Sequence, residues 1–191
     1  MHLLEQRILR DGKVLEGNVL KVDGFLNHCI DPAFSLEMGK EFYRLYKDSG
    51  VNKILTIEAS GIGLACMTGL VFNCSVLFAK KRASKNISNN VYCYEIPSYT
   101  HGNTNTVVVS REYLGPEDRV LILDDFLATG AALDGLIHIA LQAKSTVVGC
   151  GVAIEKAFQD GGERIRRQGY RVESLARISF MSPQEIRFAP D

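Results

Sequence analysis

The chain has 191 residues, 46% of them hydrophobic and 23% charged, which suits one compact domain with a substantial core. Its 22 basic and 22 acidic residues cancel, so no global field favours nucleic acid. Met1–Arg10 carries Glu5, Arg7 and Arg10 and no apolar leader segment, an expectation of a cytoplasmic protein. Five cysteines, an odd count without Cys-x-x-Cys spacing, read as thiols in a reducing cytosol rather than disulfides or zinc ligands.

In chain order, Leu20–Asn27 reads either as a simple hairpin or as a cover over a ligand. The first helix opens at Asp31, which can cap it, with Pro32 in its first turn and Gly50 beyond its end. Phe34, Met38, Phe42, Leu45 and Tyr46 share one face of that helix. A strand Lys53–Ile57, a helix from about Gly61 to Phe72 and a strand Val76–Ala79 follow. Ala59–Ala79 is an uncharged run of membrane-spanning length, but its glycines and the turn Asn73-Cys74-Ser75 divide it into loop, buried helix and buried strand. Asn90–Pro97 and Asn105–Arg111 read as paired strands around a turn at His101-Gly102-Asn103. Then come a strand Val120–Asp124, a helix from about Gly130 to Ala143 and a strand Thr146–Ile154. A short helix Gly162–Gln168 and a strand near Arg171–Ile178 close the chain. This alternation predicts a mostly parallel α/β sheet with right-handed crossovers. His2, His28, His101 and His138 stand at no metal or triad spacing, and no metal cage is expected.

The most informative stretch is Val120–Leu133. Four apolar residues fit a strand buried on both faces. Asp124 and Asp125 follow, and adjacent carboxylates repel unless a cation or hydroxyl ligand occupies them. Ala128, Thr129, Gly130, Ala131 and Ala132 are small residues that let backbone N–H groups approach an anion at a helix start. The combination suits a phosphorylated sugar, its hydroxyls on the carboxylates and its phosphate on the amides. Acid pairs also bind metals without sugars, and Thr-Gly-Ala is also an ordinary helix start. The stretch has neither the lysine of a P-loop nor a dinucleotide fingerprint, of which Gly61-Ile62-Gly63 is a fragment.

Three further segments carry chemistry. Glu58-Ala59-Ser60-Gly61 ends a strand, where open α/β sheets bind ligands, and offers a second anion loop or a plain turn. Lys80-Lys81-Arg82 with Lys85 opens a long polar segment, either a basic lid or a solvated face. Lys156 and Phe158 follow the strand Thr146–Ile154. They could donate to an exocyclic oxygen and stack on a planar base, or be an exposed lysine beside a core phenylalanine.

On Val120–Leu133, the Glu58–Gly61 loop, the basic segment and Glu155-Lys156-Ala157-Phe158, the chain resembles the type I phosphoribosyltransferases over nearly its whole length. It most resembles their bacterial purine-salvage branch that acts on xanthine. The resemblance implies a single domain over 1–191, a mostly parallel sheet flanked by helices. A small hood from 1–30 and about 156–191 and a flexible basic lid over about 80–106 would complete it. It implies transfer of phosphoribose from 5-phospho-α-D-ribose 1-diphosphate to xanthine, in a cytoplasmic homodimer, with Mg²⁺ riding on the diphosphate. Asp124 and Asp125 would bind the ribose hydroxyls, and Ala128–Ala132 the 5′-phosphate. Ala59 and Ser60 would face pyrophosphate, across a cis peptide between them, with Lys81 brought by the lid, plausibly from the other subunit. Leu20, Asn27 and Lys156 would recognise the base, with Phe158 against its face.

Two positions depart from the pattern. Hypoxanthine-guanine members carry an aspartate, the proposed base near purine N7, where Ala128 stands; Ala132 replaces a hydroxyl residue. The lost base matters less for xanthine, which is partly ionised near neutral pH. The alternatives are the same reaction on guanine, hypoxanthine or orotate, and a non-catalytic regulator that senses the diphosphate. Met1–Asp31 is short for a winged helix and has no arginine-rich recognition helix, so neither nucleic acid nor membrane is expected as a partner.

Overall fold

The computed structural model describes residues 1–82, 90–97 and 104–190. It opens with a helix that sequence reading left out, α1 (His2–Asp11), which buries only Leu4 and Ile8 and ends at Gly12. The hairpin β1 (Lys13–Leu15) and β2 (Val19–Lys21) follows, turned by Gly17 and Asn18, both with positive φ. A tight five-residue turn, Asp23–Asn27, comes next, so Leu20–Asn27 is half hairpin and half turn. Helix α2 (Pro32–Tyr46) begins as expected, with the Asp31 carboxylate accepting the Phe34 N–H at 3.0 Å.

The remaining elements are β3 (Lys53–Ile57), α3 (Gly61–Phe72), β4 (Ser75–Arg82), β5 (Val91–Pro97), β6 (Thr104–Ser110), β7 (Arg119–Leu127), α4 (Ala131–Gln142), β8 (Thr146–Lys156), α5 (Gly161–Arg167), β9 (Val172–Ser182) and β10 (Glu185–Phe188). Among the described residues they build an eight-stranded sheet in the order β10-β9-β8-β7-β3-β4-β6-β5. Its five central strands run parallel, and β10, β6 and β5 pair antiparallel at the edges. The expected α/β class holds.

Alternation along β7 serves two cores. Leu121 and Leu123 pack with α1, α2 and α3 on one face, while Val120 and Ile122 pack with α4 on the other, all fully buried. Burying each such side chain stabilises by roughly 1.5–3 kcal/mol relative to exposure. Helices α2 and α3 approach closely because Gly39 lies on the α3 backbone, where an added Cβ would stand 3.0 Å from the Thr68 Cα.

Some boundaries differ from expectation. Strand β7 runs through Asp124 and Asp125 to Leu127, since its ladder with β8 continues to Leu127 opposite Glu155. Strand β4 continues to Arg82, paired with β6, so Lys80, Lys81 and Arg82 belong to a strand and not to a loop. The turn at His101-Gly102-Asn103, Lys85 and the middle of the expected lid lie outside the described residues. Among the described residues no helix is long and apolar enough to cross a membrane. All five cysteines are free, and burial pushes the Cys150 thiol up to about 12.

Candidate active site

Strands β3 and β7 are parallel neighbours, and the helices that follow them leave on opposite faces of the sheet, α3 into one core and α4 into the other. The strand order therefore reverses between them, and the crevice at their carboxyl ends is where open α/β sheets bind ligands. The Glu58–Gly61 loop and the acid pair flank that crevice. The Ser60 hydroxyl spans it, donating to Asp125 Oδ1 at 2.9 Å.

The two carboxylates are buried, Asp124 5% and Asp125 6% exposed. The Asp125 N–H donates to Asp124 Oδ1 at 2.9 Å. Burial first, and the neighbouring Asp125 charge second, push the Asp124 carboxyl well above the usual range, with Lys81 pulling the other way. A buried pair whose charge is so poorly compensated is poised for hydroxyl donors or a cation. Gly61 makes room for it, because a Cβ there would collide with Thr56 Oγ1 and sit 3.3 Å from Asp124 Oδ1. Thr56 is fully buried and its hydroxyl has no hydrogen-bond partner among the described residues, a feature no sequence signal indicated.

Ser60, Lys81, Asp124, Asp125, Ala131 and Ala132 line one cavity of about 320 Å³ together with Glu58. Lys81 thus lines the cavity of its own chain's acid pair from the end of β4, in the first residues of the segment expected to form the lid. Its backbone N–H is held by the Glu58 carboxylate. The cis peptide falls elsewhere than expected, between Glu58 and Ala59. The Glu58 N–H bonds Ala79 O at 3.0 Å, one residue beyond β3.

Gly130 takes a left-handed conformation, φ +78°, at the start of α4, a position that suits glycine. Ala131 and Ala132 form the first turn of α4, whose leading N–H groups have no intrahelical partner. These N–H groups open α4 close to the acid pair, with Ala131 and Ala132 lining the same cavity as Asp124 and Asp125.

The base-recognition candidates come from the two ends of the chain. Asn27 Nδ2 donates to Asp125 Oδ2 at 3.4 Å, and its buried Oδ1 has no partner among the described residues. Lys156 Nζ donates to the Asn18 carbonyl at 2.9 Å and stands 5.8 Å over the Phe126 ring. Burial lowers its affinity for a proton. Leu20 is buried in the core, and Phe158 is 38% exposed beyond β8. Phe126, next to the acid pair, is the ring under the Lys156 ammonium, and sequence reading missed it. Glu155, which the sequence reading names only within the Glu155–Phe158 motif and gives no role, is 2% exposed and is held by Arg166 through two 2.8 Å bonds, by Arg177 at 3.2 Å and by Ser174. Burial works to raise the Glu155 carboxyl, but these donors hold it below its ordinary value.

No family model matches the chain. Two curated relatives match it almost end to end. The xanthine phosphoribosyltransferase of Finegoldia magna is 53% identical over 188 residues, covering 98% of this chain and 99% of the relative. That of Ruminiclostridium cellulolyticum is 50% identical over the same shares. The chain belongs to the xanthine phosphoribosyltransferase family. Solved structures agree on the fold. An adenine phosphoribosyltransferase of Giardia lamblia bound to 9-deazaadenine superposes with a TM-score of 0.74 at 20% identity, covering 91% of this chain and 97% of that one. One from Trypanosoma brucei, in complex with AMP, pyrophosphate and ribose-5-phosphate, reaches 0.75 at 17% identity, covering 91% and 79%. The type I phosphoribosyltransferase fold expected from the Val120–Leu133 signature is therefore the observed one, and this xanthine phosphoribosyltransferase family member is an enzyme of phosphoribosyl transfer.

Proposed function

We propose that this chain transfers the phosphoribosyl group of 5-phospho-α-D-ribose 1-diphosphate to xanthine, releasing pyrophosphate and forming xanthosine 5′-monophosphate in purine salvage. The observation that carries this reading is the crevice between β3 and β7. There a buried acid pair, an anion cradle at the start of α4 and Lys81 line one cavity.

A ring nitrogen of xanthine attacks the anomeric carbon, the bond to pyrophosphate breaks, and the nitrogen's proton is lost. Asp124 and Asp125 hold the ribose hydroxyls and face the positive charge that develops at that carbon, a favourable electrostatic placement in a water-poor site. Ala128–Ala132 hold the 5′-phosphate, while Ala59, Ser60 and Lys81 face the departing pyrophosphate. Asn27 and Lys156 read the base edge, Leu20 shapes the pocket, and Phe126 and Phe158 supply rings for its face. With Ala128 where a carboxylate base would stand, the acidity of xanthine itself eases loss of the proton.

The donor set also suits Mg²⁺, which prefers phosphate oxygens plus one or two carboxylates, here Asp124 and Asp125. When bound it would neutralise charge on the diphosphate. Segments 1–30 and about 156–191 form a hood, which is supported by Lys156 of one donating to the Asn18 carbonyl of the other and by Asn27 meeting Asp125. Residues 80–106 act as a basic lid, and the protein works as a cytoplasmic homodimer on small-molecule substrates.

The test is to incubate the protein with xanthine, the diphosphate substrate and Mg²⁺ and to resolve the products by chromatography. Xanthosine 5′-monophosphate and pyrophosphate are expected in equal amounts. Nucleotide at the level of a protein-free control would sink the proposal.

A further inference from the structure

The short helix α5 has no part in the chemistry above, yet it lies flat against the phosphate cradle. A Cβ on Gly161 would collide with the backbone of Ala128, Thr129 and Gly130, so the two backbones are in direct contact. What presses α5 there is the buried Glu155, whose carboxylate takes two bonds from Arg166 and leaves no room for a side chain at Gly162. From the next turn, Arg164 reaches over the loop. Its Nη2 donates to the Thr129 carbonyl at 3.1 Å, and its Nη1 stands 3.4 Å from Asp134 Oδ1 in the first turn of α4. The guanidinium thus brackets the loop and the helix that together make the cradle.

The consequence follows from peptide geometry. In a planar trans peptide the C=O and the next N–H point in opposite directions. Arg164 holds the Thr129 carbonyl, so the direction of the Gly130 N–H, opposite to that carbonyl, is fixed with it. Gly130 has positive φ and no side chain to restrain it, so without the bracket this peptide could rotate.

We propose that Arg164 is a positioning residue for 5′-phosphate binding, holding the Thr129–Gly130 peptide so that its N–H faces the phosphate. The proposal rests on the reading of Ala128–Ala132 as the phosphate cradle. Arg164 is exposed enough, at 39%, for its removal to leave folding intact.

The test is calorimetric binding of ribose 5-phosphate, together with steady-state kinetics of the full chain. Arg164→Met should weaken ribose 5-phosphate by about tenfold, the scale of one misplaced hydrogen bond, and raise KM for the diphosphate alike. KM for xanthine and kcat should change less than about twofold, a split that general destabilisation would not produce. Arg164→Lys keeps the charge but cannot bridge both partners with a fork, so it should recover binding only in part. Unchanged affinity in Arg164→Met would overturn the proposal. Full recovery in Arg164→Lys would also overturn it, because the side chain would then act as a charge and not as a bracket. Gly130→Ala separates this from the cradle reading. If Gly130→Ala weakens ribose 5-phosphate and Arg164→Met does not, only the role of Arg164 fails. If neither does, the cradle itself is misassigned.

Discussion

The Asn27 amide and the Asp125 carboxylate, 98 residues apart, meet at 3.4 Å and join the turn Asp23–Asn27 to the centre of the sheet. The amide hydrogens must face the carboxylate, since the reverse orientation would set two acceptors against each other. One N–H on Asp125 leaves the other free, and in the proposed reaction the base and the ribose would meet at this contact.

The first prediction concerns that contact. Xanthine carries an oxygen at C2 where guanine carries an amine, and a donor at Asn27 favours the oxygen. A buried mismatch of this kind costs about 1–3 kcal/mol, or roughly 10- to 100-fold in discrimination. Asn27→Asp should therefore lower the xanthine-to-guanine ratio of kcat/KM by that factor. It should also raise KM for the diphosphate, because a third negative charge then adjoins Asp125. Asn27→Ala should lower the ratio without the second effect. Ratios unchanged in both variants would refute the assignment of the C2 contact.

Asp124 makes a prediction about pH. Its carboxyl is raised in the folded state, so folding favours the protonated form. Its contribution to stability is fully present below the unfolded carboxyl value, about 3.9, and is lost as pH rises through the folded value. Asp124→Asn removes that loss, so the unliganded variant should melt above wild type at pH 8, with the gap closing toward pH 4. Each kcal/mol appears as roughly 2–4 °C in Tm. Turnover should nevertheless fall by roughly 10²–10³, the scale of one lost electrostatic contact to the transition state. A variant that melts lower than wild type at pH 8 and keeps its rate would contradict both halves.

Much of this architecture was legible in the sequence. Strand β3 and helix α3 lie where read, because Lys53 and Glu58 bracket an apolar run and Gly61 opens another. Helix α1 was not legible, since only Leu4 and Ile8 are buried and Leu3 and Leu9 are exposed, which blurs its periodicity. Strand β7 read short because carboxylates look like an end, whereas a backbone ladder is indifferent to side-chain charge. The site followed the same logic. Asp124, Asp125, Ala131 and Ala132 are close in sequence, and the structure brings them around one cavity. Glu155 takes its donors from Arg166 on α5 and from Ser174 and Arg177 on β9, and no local pattern announces such a cluster.

That cluster makes a third prediction. Glu155→Gln removes a buried charge from a carboxylate bonded by two arginines, leaving Arg166 partly buried and unmatched. The loss should be about 3 kcal/mol, near the lower end for breaking a buried pair. It should appear as a fall of roughly 6–12 °C in Tm. Because the carboxyl is held low in the folded state, wild-type stability from this group should be lost on acidification and Glu155→Gln should be less sensitive to it. Equal melting of the two proteins at pH 7 would argue against a structural role.

A fourth prediction is that turnover needs a divalent cation although, among the described residues, no cluster of three or more metal-ligating side chains exists. The cation should arrive with the diphosphate, so excess chelator should abolish activity without lowering Tm, and added Mg²⁺ should restore it. Full turnover in chelator would remove Mg²⁺ from the account.

The most direct test of the central claim is a panel of initial rates with xanthine, guanine, hypoxanthine and adenine at one fixed concentration of 5-phospho-α-D-ribose 1-diphosphate. Xanthine should have the highest kcat/KM, by roughly 10- to 100-fold over guanine, and adenine, which has no oxygen for Lys156, should be the poorest. A kcat/KM for guanine or adenine equal to or above that for xanthine would contradict the account.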